Sequence, residues 1–145
     1  MKKNLFFLLL ILFMPQAYAK SSWEFTKICS WYGGKLFHGN ETSSGIIYNQ
    51  NNPHQSAYNK WPLGTVFRVT NPENNQTIIT VVVDHTAKET ERKDRIDLSL
   101  GAAKKLGYKE DGLLKAKVEI LMKPKKDLPK AQVALLVKNA SKMLL

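Results

Sequence analysis

Short runs of apolar and β-branched residues, separated by turn-forming residues, recur along most of the chain. The run richest in β-branched residues covers 77–83 and ends abruptly in Asp84. Because such residues favour strands, this run predicts a buried strand with a carboxylate at its end. Runs at 28–32 and 66–70 predict two more strands. Apolar and polar positions alternate over 113–121, which predicts a further strand with one buried face.

Helical spacing is confined to two segments. Ser99 is placed to cap a helix over 100–106, whose end Gly107 marks. The segment 130–145 carries apolar residues close to a 3.6-residue period, which predicts a terminal amphipathic helix. The polar segment 49–59 is predicted to be a loop. Several short strands with one short helix indicate a small, mainly β barrel or sandwich.

The N-terminus has the pattern of a secretory signal peptide. Two lysines precede an apolar run over 5–14, and the small-residue sequence Ala17-Tyr18-Ala19 follows it. The apolar run is short for a membrane span, although an uncleaved anchor is the alternative. We therefore predict a signal peptide at 1–19, a short leader at 20–27, and an exported protein of the periplasm or cell envelope.

The chain has 22 basic and 12 acidic residues, and the predicted signal peptide contains two of the lysines and none of the acids. A strongly basic exported protein is expected to meet the cell wall or anionic lipid, and no nucleic acid is predicted as a partner. Cys29 is the only cysteine, so an intrachain disulfide is excluded. Its sequence context does not suit lipid attachment, so we predict no lipid anchor. It is interpreted as a buried residue, with a reactive thiol as the alternative.

The segment 123–145 combines a basic linker with the predicted amphipathic helix. It carries six lysines against the single acid Asp127. Such a tail could contact an anionic membrane or wall polymer. Packing of its apolar stripe against the rest of the protein is the alternative.

Six pieces of the sequence stand in the order seen in the RlpA-like (rare lipoprotein A) family, which this chain resembles over about residues 28–121. They are Ser30-Trp31-Tyr32-Gly33, Phe37-His38-Gly39, Thr42-x-x-Gly45-x-x-Tyr48, Pro62-Leu63-Gly64-Thr65-x-x-Arg68-Val69-Thr70-Asn71, Val83-Asp84, and Arg95-Ile96-Asp97-Leu98-Ser99-x-x-Ala102-Ala103-x-x-Leu106-Gly107. The resemblance implies a six-stranded double-psi β-barrel, assigned here to 28–122, that acts on peptidoglycan glycan strands. Some members of the family are endolytic lytic transglycosylases, and no cofactor is implied.

The chain departs from the family pattern at three positions near the expected site. Ile46 stands where a Glu usually follows the Gly, Asn49 stands where an Asp usually follows the Tyr, and Tyr58 takes the place of a His. Asp84 keeps the family's residue. The predicted function is therefore lytic transglycosylase-like cleavage of glycan strands, with a non-catalytic glycan-binding barrel as the alternative.

Asp84 is the predicted catalytic residue. A lytic transglycosylase breaks a β-1,4 glycosidic bond without water: an acid protonates the leaving oxygen, and the C6 hydroxyl of muramic acid closes on C1 to give a 1,6-anhydro product. One group can act first as acid and then as base. Burial beside Val83 would favour the protonated carboxyl that the first step needs. A loop-capping Asp84, or one ion-paired with Arg95, is the alternative.

Thr42, Tyr48, Tyr58 and His85 are predicted to bind the substrate. Aromatic rings stack on sugar faces and their hydroxyls bond sugar oxygens, whereas core packing is the alternative for the two tyrosines.

The remaining polar candidates are interpreted as structural. Asp97 precedes the short helix, where a carboxylate bonds free N–H groups. Glu41 is interpreted as a solvated loop charge, although it could supply a second acid. His38, His54 and His85 lack the local spacing of a zinc site, so no metal is predicted.

Overall fold

The computed structural model describes residues 23–88 and 93–144, so the predicted signal peptide lies outside the described residues. Six strands close into a barrel in the order β1-β5-β2-β4-β3-β6. In chain order the elements are β1 (Glu24–Tyr32), β2 (Gln55–Ala57), β3 (Val66–Thr70), β4 (Thr77–Asp84), β5 (Ile96–Ser99), α1 (Leu100–Leu106), β6 (Leu114–Met122), α2 (Lys130–Asn139) and a terminal 3-10 helix (Ala140–Leu144). No helix within these two ranges is long and apolar enough to cross a membrane.

The barrel contains both parallel and antiparallel strand pairs. Strand β1 pairs in parallel with β5, and β2 pairs in parallel with β4, while the other four pairings are antiparallel. The closed, mainly β barrel with one short helix and a helical tail confirms the predicted fold class. Closure also removes the free strand edges on which open sheets aggregate.

Two strands were not predicted from the local pattern. Strand β2 lies inside the segment 49–59, which was predicted to be a loop, and β5 has only four residues. Both are stabilised by pairing on each side, since β2 lies between β4 and β5. Ser56 adds a side-chain hydrogen bond of 2.8 Å to the carbonyl of Val81, which satisfies its buried hydroxyl.

Strand β1 begins inside the predicted leader. Glu24 pairs with Glu119 and Cys29 with Leu114 across the β1–β6 ladder, so the strand extends as far as β6 offers partners. The leader prediction is therefore wrong from Glu24 onwards.

Helix α1 has the predicted caps. The hydroxyl of Ser99 accepts a hydrogen bond from the backbone N–H of Ala102, and Gly107 takes the left-handed conformation with φ of 77°. Gly101 lets the helix approach the loop before β2, since a Cβ there would lie 2.3 Å from the carbonyl oxygen of Asn51.

The apolar face of α2 packs on the outside of the barrel. Val133 and Val137 are buried together with Val81 and Val83 of β4 and with Ile46. This face is therefore covered by the barrel, which is the alternative that the sequence left open, and membrane contact through the tail is not supported.

The linker before α2 is also bound to the barrel. Asp127 accepts a hydrogen bond of 2.8 Å from the N–H of Leu63, and Leu128 donates one of 3.0 Å to the Leu63 carbonyl. Leu128 lies over Gly64, where a Cβ would come within 2.6 Å of the Leu128 Cδ1 atom. Gly64 also has a φ of 94°, so glycine is required there on two grounds.

Candidate functional site

The carboxyl end of β4 opens into a cavity of about 360 Å³. The cavity is lined by parts of β1, β2, β4 and β5. Residues 85–87 after β4 and the segment that enters β5 complete the described lining. Two acidic residues, Asp84 and Asp97, line the cavity together with two basic residues, Lys93 and Arg95. The described lining of the cavity therefore carries charges of both signs.

Asp84 is held by hydrogen bonds to one of its two carboxylate oxygens. Oδ1 accepts from the backbone N–H of Ser43 at 3.0 Å, from the Ser43 hydroxyl at 2.6 Å and from the N–H of His85 at 2.8 Å. Oδ2 accepts no hydrogen bond from the part of the chain that the structure describes. The loop-capping contact weighed for Asp84 is thus present, and the second oxygen remains for a ligand.

The loop that carries Ser43 is fixed from within. Thr42 is buried, and its hydroxyl donates to the carbonyl of Ile46 at 2.9 Å. The N–H of Ser44 donates to the carbonyl of Val83 at 3.0 Å, which joins the loop to the end of β4. Thr42 therefore shapes the loop and does not line the cavity.

Ile46 fills the position at which the family usually offers a Glu. Its side chain is only 8% exposed and packs in the cluster with Val133 and Val137 of α2. An ionised carboxylate would be costly among these apolar side chains. The departure from the family pattern at this position therefore has a physical reason, which is the helix that covers it.

Three aromatic side chains, Trp31, Tyr32 and Phe37, form one wall of the cavity. Phe37 packs edge-on against Tyr32, with 5.6 Å between the ring centroids. Phe37 is 46% exposed. The indole N–H of Trp31 donates to the carbonyl of Lys109, which fixes that ring. We did not single out Trp31 or Phe37 from the sequence, although both lie in the family-like pieces.

Tyr48 stands behind this wall. Its ring stacks on Tyr32 with centroids 4.3 Å apart, and its hydroxyl donates to the Tyr32 carbonyl at 2.8 Å. Burial raises the pKa of both tyrosines. Tyr48 supports a cavity residue and does not itself line the cavity.

Tyr58 points into the core. Its ring contacts Trp61 at 4.7 Å between centroids, and its hydroxyl donates to Asp94 at 2.8 Å. Burial raises its pKa. Core packing, the alternative considered for this residue, is what the structure has. His85, in contrast, lines the cavity and is exposed.

Asp94 anchors the segment that carries Arg95 into the cavity. It has a φ of 51°, in the left-handed region that few non-glycine residues adopt. Hydrogen bonds from Lys27, then from Lys60 and Tyr58, hold the pKa of its carboxyl well below the usual range. These contacts hold the backbone conformation against its cost.

Asp97 lies opposite Ala57 on one side of β2, and Asp84 lies opposite the same Ala57 on the other side. The hydroxyl of Ser30 donates to Asp97 Oδ1 at 2.5 Å. The helix-capping bond that motivated our structural interpretation of Asp97 is made by Ser99 instead. Asp97 was interpreted from the sequence as a structural residue before the short helix, and in the structure it lines the cavity.

The other polar candidates lie in loops. Glu41 is exposed and forms an isolated bridge with Ile47. His38 Nδ1 accepts from the N–H of Gln50 at 3.2 Å, and His54 Nδ1 lies 2.6 Å from the carbonyl oxygen of Ile79. Both imidazoles therefore serve local backbone structure.

The fold is a closed six-stranded β-barrel whose cavity is lined by carboxylates, cations and aromatic rings. The model of the lytic transglycolase family matches residues 26–119. The chain belongs to this family, which confirms the resemblance to RlpA-like double-psi β-barrels.

Curated relatives agree with this assignment, and a solved structure shares the fold. The chain is similar to the endolytic peptidoglycan transglycosylase RlpA of Rickettsia bellii, at 38% identity over 71% of this chain. It is likewise similar to the proteins of that name from Rickettsia felis, at 34% over 86%, and Pseudomonas aeruginosa strain UCBPP-PA14, at 43% over 62%. These matches span 45%, 57% and 25% of the relatives' own lengths. The Streptomyces papain inhibitor shares the fold, with a TM-score of 0.50 at 19% identity over 67% of this chain and 92% of the inhibitor.

Proposed function

We propose that this protein is exported, binds peptidoglycan glycan strands in the cavity at the end of β4 and cleaves them as a lytic transglycosylase. The observation that carries the proposal is the setting of Asp84, whose Oδ1 is held by Ser43 and His85 while Oδ2 accepts no hydrogen bond within the described residues. A carboxyl positioned through one oxygen can exchange a proton through the other. The similarity to proteins named peptidoglycan transglycosylases supports glycan strands as the ligand.

The proposed reaction needs only proton transfer and orientation. Asp84 gives its proton to the oxygen that leaves C1 of muramic acid, and the C1–O4 bond breaks. The C6 hydroxyl closes on C1 and gives its proton to the Asp84 carboxylate left by the first step, which forms the 1,6-anhydro ring and restores the acid. Trp31 and Phe37 supply ring faces on which sugars can stack next to the reacting bond.

A binding module that grips glycan strands without cutting them is the second candidate. Two observations favour it: Ile46 is covered by α2, and Tyr58 is turned into the core toward Asp94. A tyrosine hydroxyl, with an ordinary pKa of about 10, does not replace imidazole as a proton shuttle at neutral pH.

Incubation of the purified protein with sacculi and detection of anhydro-muramic ends by mass spectrometry separates the two candidates. If the protein is a lytic transglycosylase, the wild type should form such ends, and Asp84→Asn should form them at least about 10²-fold more slowly. Asp111→Asn, which changes an exposed carboxylate outside the cavity, is the matched control. Pelleting with sacculi but no anhydro ends from the wild type would leave the binding module as the function.

A further inference from the structure

We propose that Asp97 is the second working carboxylate of this cavity: it accepts the proton of the sugar C6 hydroxyl while Asp84 protonates the leaving oxygen. This inference rests on the proposed lytic function and divides between two residues the proton transfers that a single Asp84 would otherwise perform in turn.

The strand register brings the two carboxylates together. Asp84 and Asp97 are both register partners of Ala57, one from β4 and one from β5. The register of β2 on β4 shifts between Ser56 and Ala57, which brings Asp84 opposite Ala57. Asp84, Ala57 and Asp97 all line the same cavity. Two strand spacings of about 4.8 Å place the two Cα atoms roughly 9.6 Å apart, with only a methyl group between them. A sugar ring lying over Ala57 would therefore have a carboxylate on each side.

The two carboxylates share one cavity. Among the described residues that line it, Asp84 and Asp97 are the only acids. Position 46, where the family usually has a Glu, is an isoleucine packed against α2 in this chain, so it supplies no second acid. Asp97 is thus the one other carboxylate that lines the described part of the cavity.

The local chemistry of Asp97 suits a group that gains and loses a proton. Its Oδ1 receives a hydrogen bond from the hydroxyl of Ser30, at 2.5 Å. A hydroxyl can rotate to donate to a carboxylate or to accept from a protonated carboxyl, and Asp84 has the same kind of partner in the hydroxyl of Ser43. Ser30 therefore keeps a partner for Asp97 in both protonation states.

The proton balance of the step is complete without a co-reactant. The C1–O4 bond breaks and the C1–O6 bond forms. One proton passes from Asp84 to O4 and one passes from O6 to Asp97, so the enzyme keeps the same number of protons. Exchange with solvent water then returns Asp84 to its protonated form and Asp97 to its carboxylate.

Chemical rescue tests this assignment. Asp97→Ala removes the carboxylate and leaves space beside Ala57, so the formation of anhydro ends should fall about 10²-fold or more. Added formate, a small carboxylate that can occupy the vacated space, should restore a substantial part of that activity. Asp111→Ala assayed with and without formate is the control, and both values should equal the wild type. A residue needed only for folding would not respond to formate.

Ser30→Ala gives a second readout that leaves the carboxylate in place. Loss of the hydroxyl donor disfavours the charged form of Asp97, so the acidic limb of the pH–rate profile should move to higher pH. Wild-type activity in Asp97→Ala would overturn the inference alone, as would a loss without formate rescue combined with an unmoved profile in Ser30→Ala. Absence of anhydro ends from the wild type itself would overturn the proposed lytic function and this inference together.

Discussion

Ser43 donates both its backbone N–H and its hydroxyl to the same carboxylate oxygen of Asp84. The two residues are 41 positions apart, so the loop before Tyr48 and the end of β4 are fixed to each other at the point where the cavity opens. The orientation of Asp84 is therefore set by a loop outside its own strand.

Replacement of Ser43 by alanine should misplace Asp84 more than it destabilises the fold. One hydrogen bond at an exposed position costs roughly 1 kcal/mol, whereas a small displacement of a reacting group can cost about 10²-fold in rate. We expect Ser43→Ala to retain nearly the wild-type melting temperature, to form anhydro ends at least about tenfold more slowly, and to shift the carboxyl carbon resonance of Asp84.

Ser141→Ala, at an exposed position on the terminal 3-10 helix, provides the comparison for Ser43→Ala. An Asp84 resonance that is the same in Ser43→Ala and in wild type would contradict the anchoring role.

Gly64 and Leu128 should show energetic coupling. Gly64→Ala would place a methyl group 2.6 Å from Leu128 Cδ1 and would also force alanine to a φ of 94°, so we expect a loss of roughly 2–3 kcal/mol. Leu128→Ala should relieve the steric part, which a double-mutant cycle by urea denaturation measures as a coupling of about 0.5 kcal/mol or more.

Gly112→Ala is the matched control for this cycle, because Gly112 has a φ of 73° but no atom within 4 Å of the added Cβ. It should lose only the backbone part, roughly 1 kcal/mol, and Leu128→Ala should not change that loss. Equal coupling at both glycines would show that the contact with Leu128 is not the cause.

Asp94 should make stability depend on pH at the acidic end. The pKa of its carboxyl is held well below the ordinary value of 3.8 by Lys27, Lys60 and Tyr58. A lowered folded-state pKa gives stability that is present above the unfolded value and is lost as pH falls through the folded one. We therefore expect wild type to exceed Asp94→Asn in stability at pH 7 and the difference to shrink as pH falls below about 3.8.

Thermal unfolding at a series of pH values measures this difference, with Asp111→Asn as a control that should track the wild type throughout. A gap between wild type and Asp94→Asn that stays constant down to strongly acidic pH would contradict the ion-pair origin.

The thiol of Cys29 should be unreactive in the folded protein. Its thiol is fully buried, and burial raises its pKa to about 12, so little thiolate forms at neutral pH. Ellman's reagent at pH 8 should leave the native protein unlabelled and should react with one thiol per chain in guanidinium chloride. Rapid labelling of the native state would support the reactive-thiol alternative instead.

The elements that the sequence predicted well are those whose signal is local. Strand β4 was recognisable from its β-branched run, and α1 from Ser99 and Gly107 at its ends. Strand β2 has only three residues, and its local sequence predicts a loop. It is a strand because it pairs with β4 on one side and β5 on the other. No window around residues 55–57 contains that information.

The same distinction explains the site. Asp84 could be proposed from the strand that it ends and from the family-like sequence, but its nearness to Asp97 depends on Ala57, which pairs with both. Tyr58 was predicted to contact substrate, with core packing as the alternative, and its ring packs in the core cluster. The position of Asp97 beside Asp84 thus depends on long-range strand register, which residue type alone does not reveal.

The packing of Ile46 and Val133 in one buried cluster has a consequence for folding. These residues are 87 positions apart, so the loop that orients Asp84 gains its apolar support only after residues of α2 have been synthesised and have docked. Contacts of such long sequence separation form late because the intervening chain must first be ordered. Closure of the barrel spans a similar length of chain, since Glu24 of β1 pairs with Glu119 of β6, so the closed barrel and the support of the Asp84 loop both depend on the C-terminal part of the chain.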